Sequence, residues 1–480
     1  MPFVGRDRDL RLLEEQYEEV VRSQEARFIS MRGRRRVGKS TLIDEFLRRA
    51  GLPHVFFAAS RQSLARELEL FVEELSATEL PAGEMVRAGL TPDSWDAALA
   101  QLAQSADAQR PAVVVIDEFP WMVEQDESIE AVFQKTWDRR LKGAPLLLIL
   151  VGSDLAMMEA LTTYGRPLYG RPTREMVVAP LSPSEIGDLL GVGPPEAIDA
   201  YATIGGFPQL ALSWPAGASR AEFLGTVLQD EHSPFIVSGE RSTTAEFPPQ
   251  TSARAVFSAI GSGEAAFGRI GSRAKIGSSQ LSAILDLLEC KRAIRRLVPF
   301  GAKDNSKAKR YVVSDPYLRF WLRFVEPNIE LIQRRRGLLV AERIEASWVD
   351  YRGKAIEPIV SASLERMLPD PRFGDARHVS GYWTRDNQVE VDLVASREER
   401  NPARAALVGS IKWRGSGRFD RRDAKALLEH RGRVPGADAD TILVGVSRQG
   451  FEENVGLDVE LGPKDIVDAW RDQPASRASS

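Results

Sequence analysis

One stretch constrains this chain more than any other: Gly33-Arg34-Arg35-Arg36-Val37-Gly38-Lys39-Ser40-Thr41. It follows the apolar run Phe28-Ile29-Ser30-Met31 and leads into Leu42-Ile43-Asp44-Glu45-Phe46-Leu47, whose apolar spacing predicts a helix. A strand, a glycine-flanked loop and a helix form the context in which G-x-x-x-x-G-K-[ST] becomes a phosphate cradle. The glycines let the loop wrap closely, and its N–H groups and the helix N-terminus face phosphate. Lys39 is then expected to reach the β and γ oxygens and the Ser40 hydroxyl to ligate Mg²⁺, while Arg34, Arg35 and Arg36 add positive charge around them. Such a loop belongs to an α/β fold with a parallel sheet.

The partners that a phosphate cradle needs lie downstream. Ala112-Val113-Val114-Val115-Ile116-Asp117-Glu118 is too short and too β-branched for a helix and reads as a parallel strand buried on both faces. Asp117 at its end is placed to hold Mg²⁺ through water, and Glu118 to polarise an attacking water. A further apolar run, Leu146-Leu147-Leu148-Ile149-Leu150-Val151, ends in Gly152-Ser153-Asp154. Ligands of open parallel sheets sit beyond the strands' carboxyl ends, so Ser153 either senses the γ-phosphate or caps the next helix. Phe3-Val4-Gly5-Arg6 precedes a leucine-spaced helix with Asp7 as its expected cap; this turn closes over a base or simply staples the N-terminus. Arg171 is the candidate for supplying transition-state charge, in cis or to a neighbour, against ordinary solvation.

Composition narrows the class. The chain has 480 residues, and its 64 basic and 68 acidic side chains give a net charge of -4, so any surface for a polyanion must be local. One cysteine, Cys290, leaves no internal disulfide and no cysteine-rich zinc site. No apolar run approaches the ~20 residues of a membrane span, and the N-terminus lacks a leader pattern, so a cytoplasmic protein without membrane contact is expected.

Farther along, Ala253–Ile260 and Gln280–Cys290 read as helices around the turn Lys275-Ile276-Gly277-Ser278-Ser279. A hairpin with the basic tip Gly301–Lys309 follows, which together reads as a winged helix. Lys275, Ser278, Ser279 and Gln280 could then face a DNA groove and Lys303, Lys307, Lys309 and Arg310 its backbone, or the module packs within the chain as a switch. Trp383 and Trp413, with Arg414, Arg418, Arg421 and Arg422, could stack on nucleic acid or cap an edge.

Phe3-Val4-Gly5-Arg6, the Gly33 to Ser40 loop, Asp117-Glu118, Gly152-Ser153, Tyr169-Gly170-Arg171 and Gly205-Gly206-Phe207-Pro208 resemble, in order, the archaeal-type ATP-binding proteins of the AAA+/STAND superclass. The aromatic junction after Asp315-Pro316 extends the resemblance. It implies an additional-strand P-loop ATPase with a small helical lid and ATP as the nucleotide. Val4, Gly5 and Arg6, the residues from Gly33 to Thr41, and Gly206 and Pro208 of the lid motif are then the nucleotide contacts. It also implies a C-terminal PD-(D/E)xK restriction-endonuclease-like α/β domain, to which Glu357, Asp392 and Lys412 correspond. Ser410 stands where that pattern has a carboxylate, and a hydroxyl is a poor Mg²⁺ ligand in its place, so cleavage is expected to be lost. The expected division is an ATPase core at 1–180, a lid at 181–240, a winged helix at 241–335, a nuclease-like domain at 336–465 and a disordered tail at 466–480. The function expected is an ATP- and Mg²⁺-dependent switch acting on DNA. The alternatives are a STAND-type protein that binds a protein partner or assembles with its own copies, and an ATP-dependent nuclease.

Overall fold

Two runs of β-branched and leucine side chains, too short to be helices and apolar on both faces, become the inner strands of a parallel sheet. The computed structural model describes residues 3–246, 251–303, 306–386, 388–399, 402 and 404–471. The chain forms two units, Met1–Pro180 and Leu181–Ser480.

In the first unit the strands are β1 (Arg27–Arg32), β2 (His54–Ala58), β3 (Ala112–Asp117), β4 (Leu146–Gly152) and β5 (Arg174–Val177), all parallel, in the order β2-β3-β4-β1-β5. Every residue of β3 and β4 is buried. Phe71, Trp95 and Phe133 cover one face of the sheet and Leu10, Leu13 and Phe46 the other. The order matters for chemistry. β4 lies between β1, which feeds the P-loop, and β3, which ends in Asp117, so three strand ends open side by side at one edge. Asp7 does not cap the first helix: Arg6, in the left-handed conformation with φ 65°, precedes it, and Asp7 is its first residue. There its charge still favours the helix N-terminus.

The second unit begins with the helices Pro183–Leu190 and Pro194–Ile204. The helices Ser252–Gly261, Phe267–Ala274 and Ser278–Cys290 follow, with an antiparallel hairpin of β6 (Ile294–Leu297) and β7 (Arg310–Val313). Tyr317, Phe320 and Trp321 are buried. A single helix, Gly337–Met367, runs from just after Arg334-Arg335-Arg336 through Glu357. It packs beneath a five-stranded mixed sheet of β8 (His378–Trp383), β9 (Glu390–Ser396), β10 (Leu407–Lys412), β11 (Ile442–Ser447) and β12 (Val459–Leu461), in the order β12-β11-β10-β9-β8. β8, β9 and β10 are antiparallel; β10, β11 and β12 are parallel, with the helix Arg421–Arg431 in the crossover from β10 to β11.

One continuous hydrophobic core extends from Leu181 to Val467, so the expected boundaries at 240 and 335 do not break the packing. Ile466 and Val467 are buried and Trp470 donates its Nε1–H to Ser363 at 2.7 Å, so the chain stays packed beyond the start expected for a tail. The remainder of that tail, 472–480, together with residues 247–250 and Asp304 and Asn305 of the wing tip, lies outside the described residues.

Candidate active site

The P-loop leaves β1 and enters the helix Lys39–Ala50. Gly33 is required by close approach: a Cβ there would lie 2.5 Å from the Val178 carbonyl oxygen. Gly38 is required by conformation, with φ 91°. Arg36 also takes a left-handed conformation, φ 66°, where a side chain is strained. Lys39 is 7% exposed and its ammonium donates to the carbonyls of Gly33 at 2.8 Å and Arg34 at 3.2 Å. Burial lowers its pKa, and the nearby carboxylates of Glu118 and Asp117 oppose that shift.

The Ser40 hydroxyl donates to Asp117 at 2.8 Å, which joins the loop to the end of β3. Glu118 follows in the left-handed region, φ 54°, a turn that carries its carboxylate toward β4. There it accepts from the Ser153 hydroxyl at 2.9 Å and the Ser153 N–H at 3.3 Å. Asp154, not Ser153, caps the next helix, accepting from the Met157 N–H. Ser153 is thereby free for the site, and Arg35 Nε lies 3.4 Å from its hydroxyl. These contacts bring Lys39, Ser40, Asp117, Glu118 and Ser153 together.

Around this centre, the Arg6 guanidinium is buried and donates to the Val37 carbonyl at 2.8 Å, tying the turn that contains Val4 and Gly5 to the P-loop. Thr41 is exposed on the first turn of the P-loop helix. Arg171 is engaged elsewhere: Asp138 accepts from its Nη2 at 2.8 Å and its Nε at 3.2 Å. Trp121, just past Glu118, carries the guanidiniums of Arg61 and Arg35 at 4.6 and 5.9 Å from its ring centroid, a contact sequence reasoning missed. Its only signal is an aromatic residue three positions after Glu118, behind Phe119-Pro120. Gly206 and Pro208 belong to the second unit, where the Gly206 carbonyl accepts from the Leu181 N–H and Pro208 opens the helix Pro208–Leu212.

The structure permits a test of fit for a nucleoside triphosphate and Mg²⁺. A loop that must hug its neighbour at Gly33, a buried ammonium and a hydroxyl paired with a strand-end carboxylate are the groups that a polyphosphate with its cation engages. They fit.

In the second unit, Glu357 of the long helix faces Asp392 of β9. Burial, followed by the Asp392 charge, pushes the Glu357 carboxyl up to about 7. Asp392 accepts from the Ile411 N–H at 2.7 Å and the Ser410 hydroxyl at 3.3 Å, and the Lys412 charge also acts on it. Lys412 itself lies 3.9 Å from Asp423. Glu390 is drawn away by Arg310 at 2.6 Å. Among the described residues, no group of three or more His, Cys, Asp or Glu is arranged to hold a metal ion. Neither tryptophan is open for base stacking. Trp383 is buried, donates to the Ala308 carbonyl at 2.7 Å and has Arg310 over its ring; Trp413 is buried and donates to Asp199 at 3.3 Å.

Residues 2–149 match the AAA ATPase domain family, and residues 321–427 match a family described as archaeal and bacterial proteins of unknown function. An uncharacterized protein of Methanocaldococcus jannaschii, MJECL04, is 24% identical over 419 residues, covering 86% of this chain and 88% of that protein. Among solved structures, the Walker-type ATPase PABY2304 of Pyrococcus abyssi is similar at a TM-score of 0.48 and 21% identity, covering 67% of this chain and 96% of that one. The Aeropyrum pernix ORC2 protein is similar at a TM-score of 0.43 and 15% identity, covering 71% and 95%. No helix among the described residues is long and apolar enough to cross a membrane. With the P-loop, the strand-end acids and the domain match in one place, the first unit carries an AAA ATPase domain and the chain is an ATPase.

Proposed function

We propose that the first unit is an ATP- and Mg²⁺-operated switch and that the second unit delivers its output by engaging DNA without cutting it. The observation that carries the reading is the convergence of Ser40 on Asp117 and of Ser153 on Glu118 around a buried Lys39. The P-loop N–H groups and Lys39 would hold the phosphates, and Ser40 with Asp117 the cation. Mg²⁺ would supply charge neutralisation on the phosphate oxygens. Glu118 is the group able to orient and deprotonate water, and Ser153 fixes its carboxylate.

The DNA side of the reading is supported by three helices followed by a hairpin in which Lys275, Ser278, Ser279 and Gln280 are exposed at one helix N-terminus and Lys303 and Lys307 at the wing. Arg310 does not join them, since Glu390 and the Trp383 ring hold it. The helix-backed mixed sheet with Glu357, Asp392 and Lys412 agrees with a nuclease-like ancestry. Ser410 bonded to Asp392, Glu390 paired with Arg310, and no metal-holding group of acids among the described residues argue against cleavage.

A mobility-shift assay on duplex DNA with ADP, ATP and a non-hydrolysable ATP analogue tests this. Binding that changes at least severalfold between nucleotides is expected. Intact turnover with no nucleotide-dependent DNA binding would overturn it.

A further inference from the structure

We propose that a cavity of about 240 Å³ within the second unit binds a small phosphomonoester carrying a planar organic group. It is lined by Tyr201, Arg295, Ser314, Arg319, Tyr351 and Trp470 and by no P-loop residue, with one face of the long helix as its floor.

Its charge pattern points to an anion. Arg295 and Arg319 both line the cavity, and neither makes an ion pair with a carboxylate among the described residues. Arg295 is exposed to solvent, yet the surrounding protein and then the Arg319 charge lower its pKa, while the Glu365 charge opposes that shift. Two guanidiniums near enough to disfavour each other are relieved by a group that accepts from both, and guanidinium forks match phosphate oxygens in a bidentate fashion.

The remaining walls suit the organic part. Tyr201 and Trp470 present aromatic surface, and Trp470 is held in place by its hydrogen bond to Ser363 and by Arg366 stacked 3.9 Å from its ring centroid. Hydrogen-bonding capacity remains unspent beside the cavity. The Tyr351 and Ser314 hydroxyls are shielded from solvent and have no hydrogen-bond partner among the described residues. A buried hydroxyl without a partner is unfavourable, and a ligand oxygen or its bound water would satisfy it. A cavity this size admits a single ring and a phosphate rather than a strand of nucleic acid.

The experiment is isothermal titration of the full chain carrying Lys39→Ala, which silences the P-loop, with phenyl phosphate, inorganic phosphate and phenol. The expected result is one phenyl phosphate per chain, weaker binding of inorganic phosphate and none of phenol, with affinity falling at least tenfold in the Arg295→Gln/Arg319→Gln double variant. Should that variant fail to fold, Tyr351→Phe decides, because it removes only the unpaired hydroxyl; a severalfold loss of affinity is expected. No binding of phenyl phosphate up to about 10 mM, equal binding of phenol, inorganic phosphate binding as tightly as phenyl phosphate, or affinity unchanged in the readable variants would each overturn the proposal.

Discussion

Ser153 gives both of its donors to one oxygen of Glu118: the hydroxyl at 2.9 Å and the backbone N–H at 3.3 Å. The contact spans the gap between the ends of β3 and β4, which are hydrogen-bonded neighbours in the sheet. Ser153 therefore acts on the carboxylate proposed to orient water.

Ser153→Ala keeps the backbone donor and removes the hydroxyl. A hydrogen bond to an ionised group is worth about 1.5–3 kcal/mol, which converts to roughly 10- to 100-fold in rate. Steady-state ATP hydrolysis should show kcat reduced by that factor with KM nearly unchanged. A rise in kcat would instead mean that the hydroxyl restrains Glu118. Glu118→Gln, which keeps the shape and loses the base, should keep ATP binding and lower turnover by about 100-fold or more.

Lys39→Ala should abolish turnover and weaken ATP binding severely, because no other residue places a buried cation in the loop. Removal of the ammonium also takes away the hydrogen bonds it donates to the Gly33 and Arg34 carbonyls. The stability of the nucleotide-free protein should drop by about 1–3 kcal/mol, the scale of charge-assisted hydrogen bonds offset by the desolvation of the buried ammonium, read as a shift in denaturant midpoint. A variant that still binds ATP at wild-type affinity would remove the loop from the phosphate site.

Much of this centre is legible in the sequence because its parts are local. The loop, the acidic pair and Ser153 each sit at the end of an apolar run, and the sheet order brings those ends together. Other features depend on distant partners. The start of the long helix at Gly337 is one: a Cβ there would meet the Leu228 carbonyl, a fact no local pattern reveals. The tryptophans are another. Trp413 beside an arginine suggests a nucleic-acid surface, yet its indole is turned inward to Asp199, 214 residues away. Arg171 likewise carries no mark in the sequence of its partner Asp138.

Asp199, half-buried, is the hub of an ion-pair cluster in the second unit. Arg352 lies 3.5 Å from it, Arg448 3.3 Å and the Trp413 indole nitrogen 3.3 Å. Desolvation pushes its pKa up while Arg352 and Arg448 oppose that shift. Asp199→Ala leaves two arginines without their shared carboxylate, one of them 5% exposed, and breaking a buried pair by removing one partner costs about 3–5 kcal/mol. Denaturant melts should show a loss of that order in the second unit. A change below about 1 kcal/mol would show that water replaces the carboxylate without penalty.

Glu357 makes the stability of the second unit depend on pH. Its carboxyl is raised to about 7 in the folded chain from 4.5, so between those values the folded state binds more protons than the unfolded one. Stability from this group is therefore fully present below pH 4.5 and is lost as pH rises through about 7. At 1.36 kcal/mol per unit, the loss is at most roughly 3 kcal/mol. Glu357→Gln, neutral at every pH, should be more stable than the wild type at pH 8 by up to that amount and equal to it near pH 4.5. The same variant probes the lost carboxylate. Mn²⁺ bound by Glu357 and Asp392 would neutralise the pair and narrow the gap at pH 8. With Ser410 bonded to Asp392, Glu390 paired with Arg310 and no three acids among the described residues arranged to hold a metal ion, the gap should persist in millimolar Mn²⁺. Its disappearance would restore a metal-dependent nuclease as the reading of this domain.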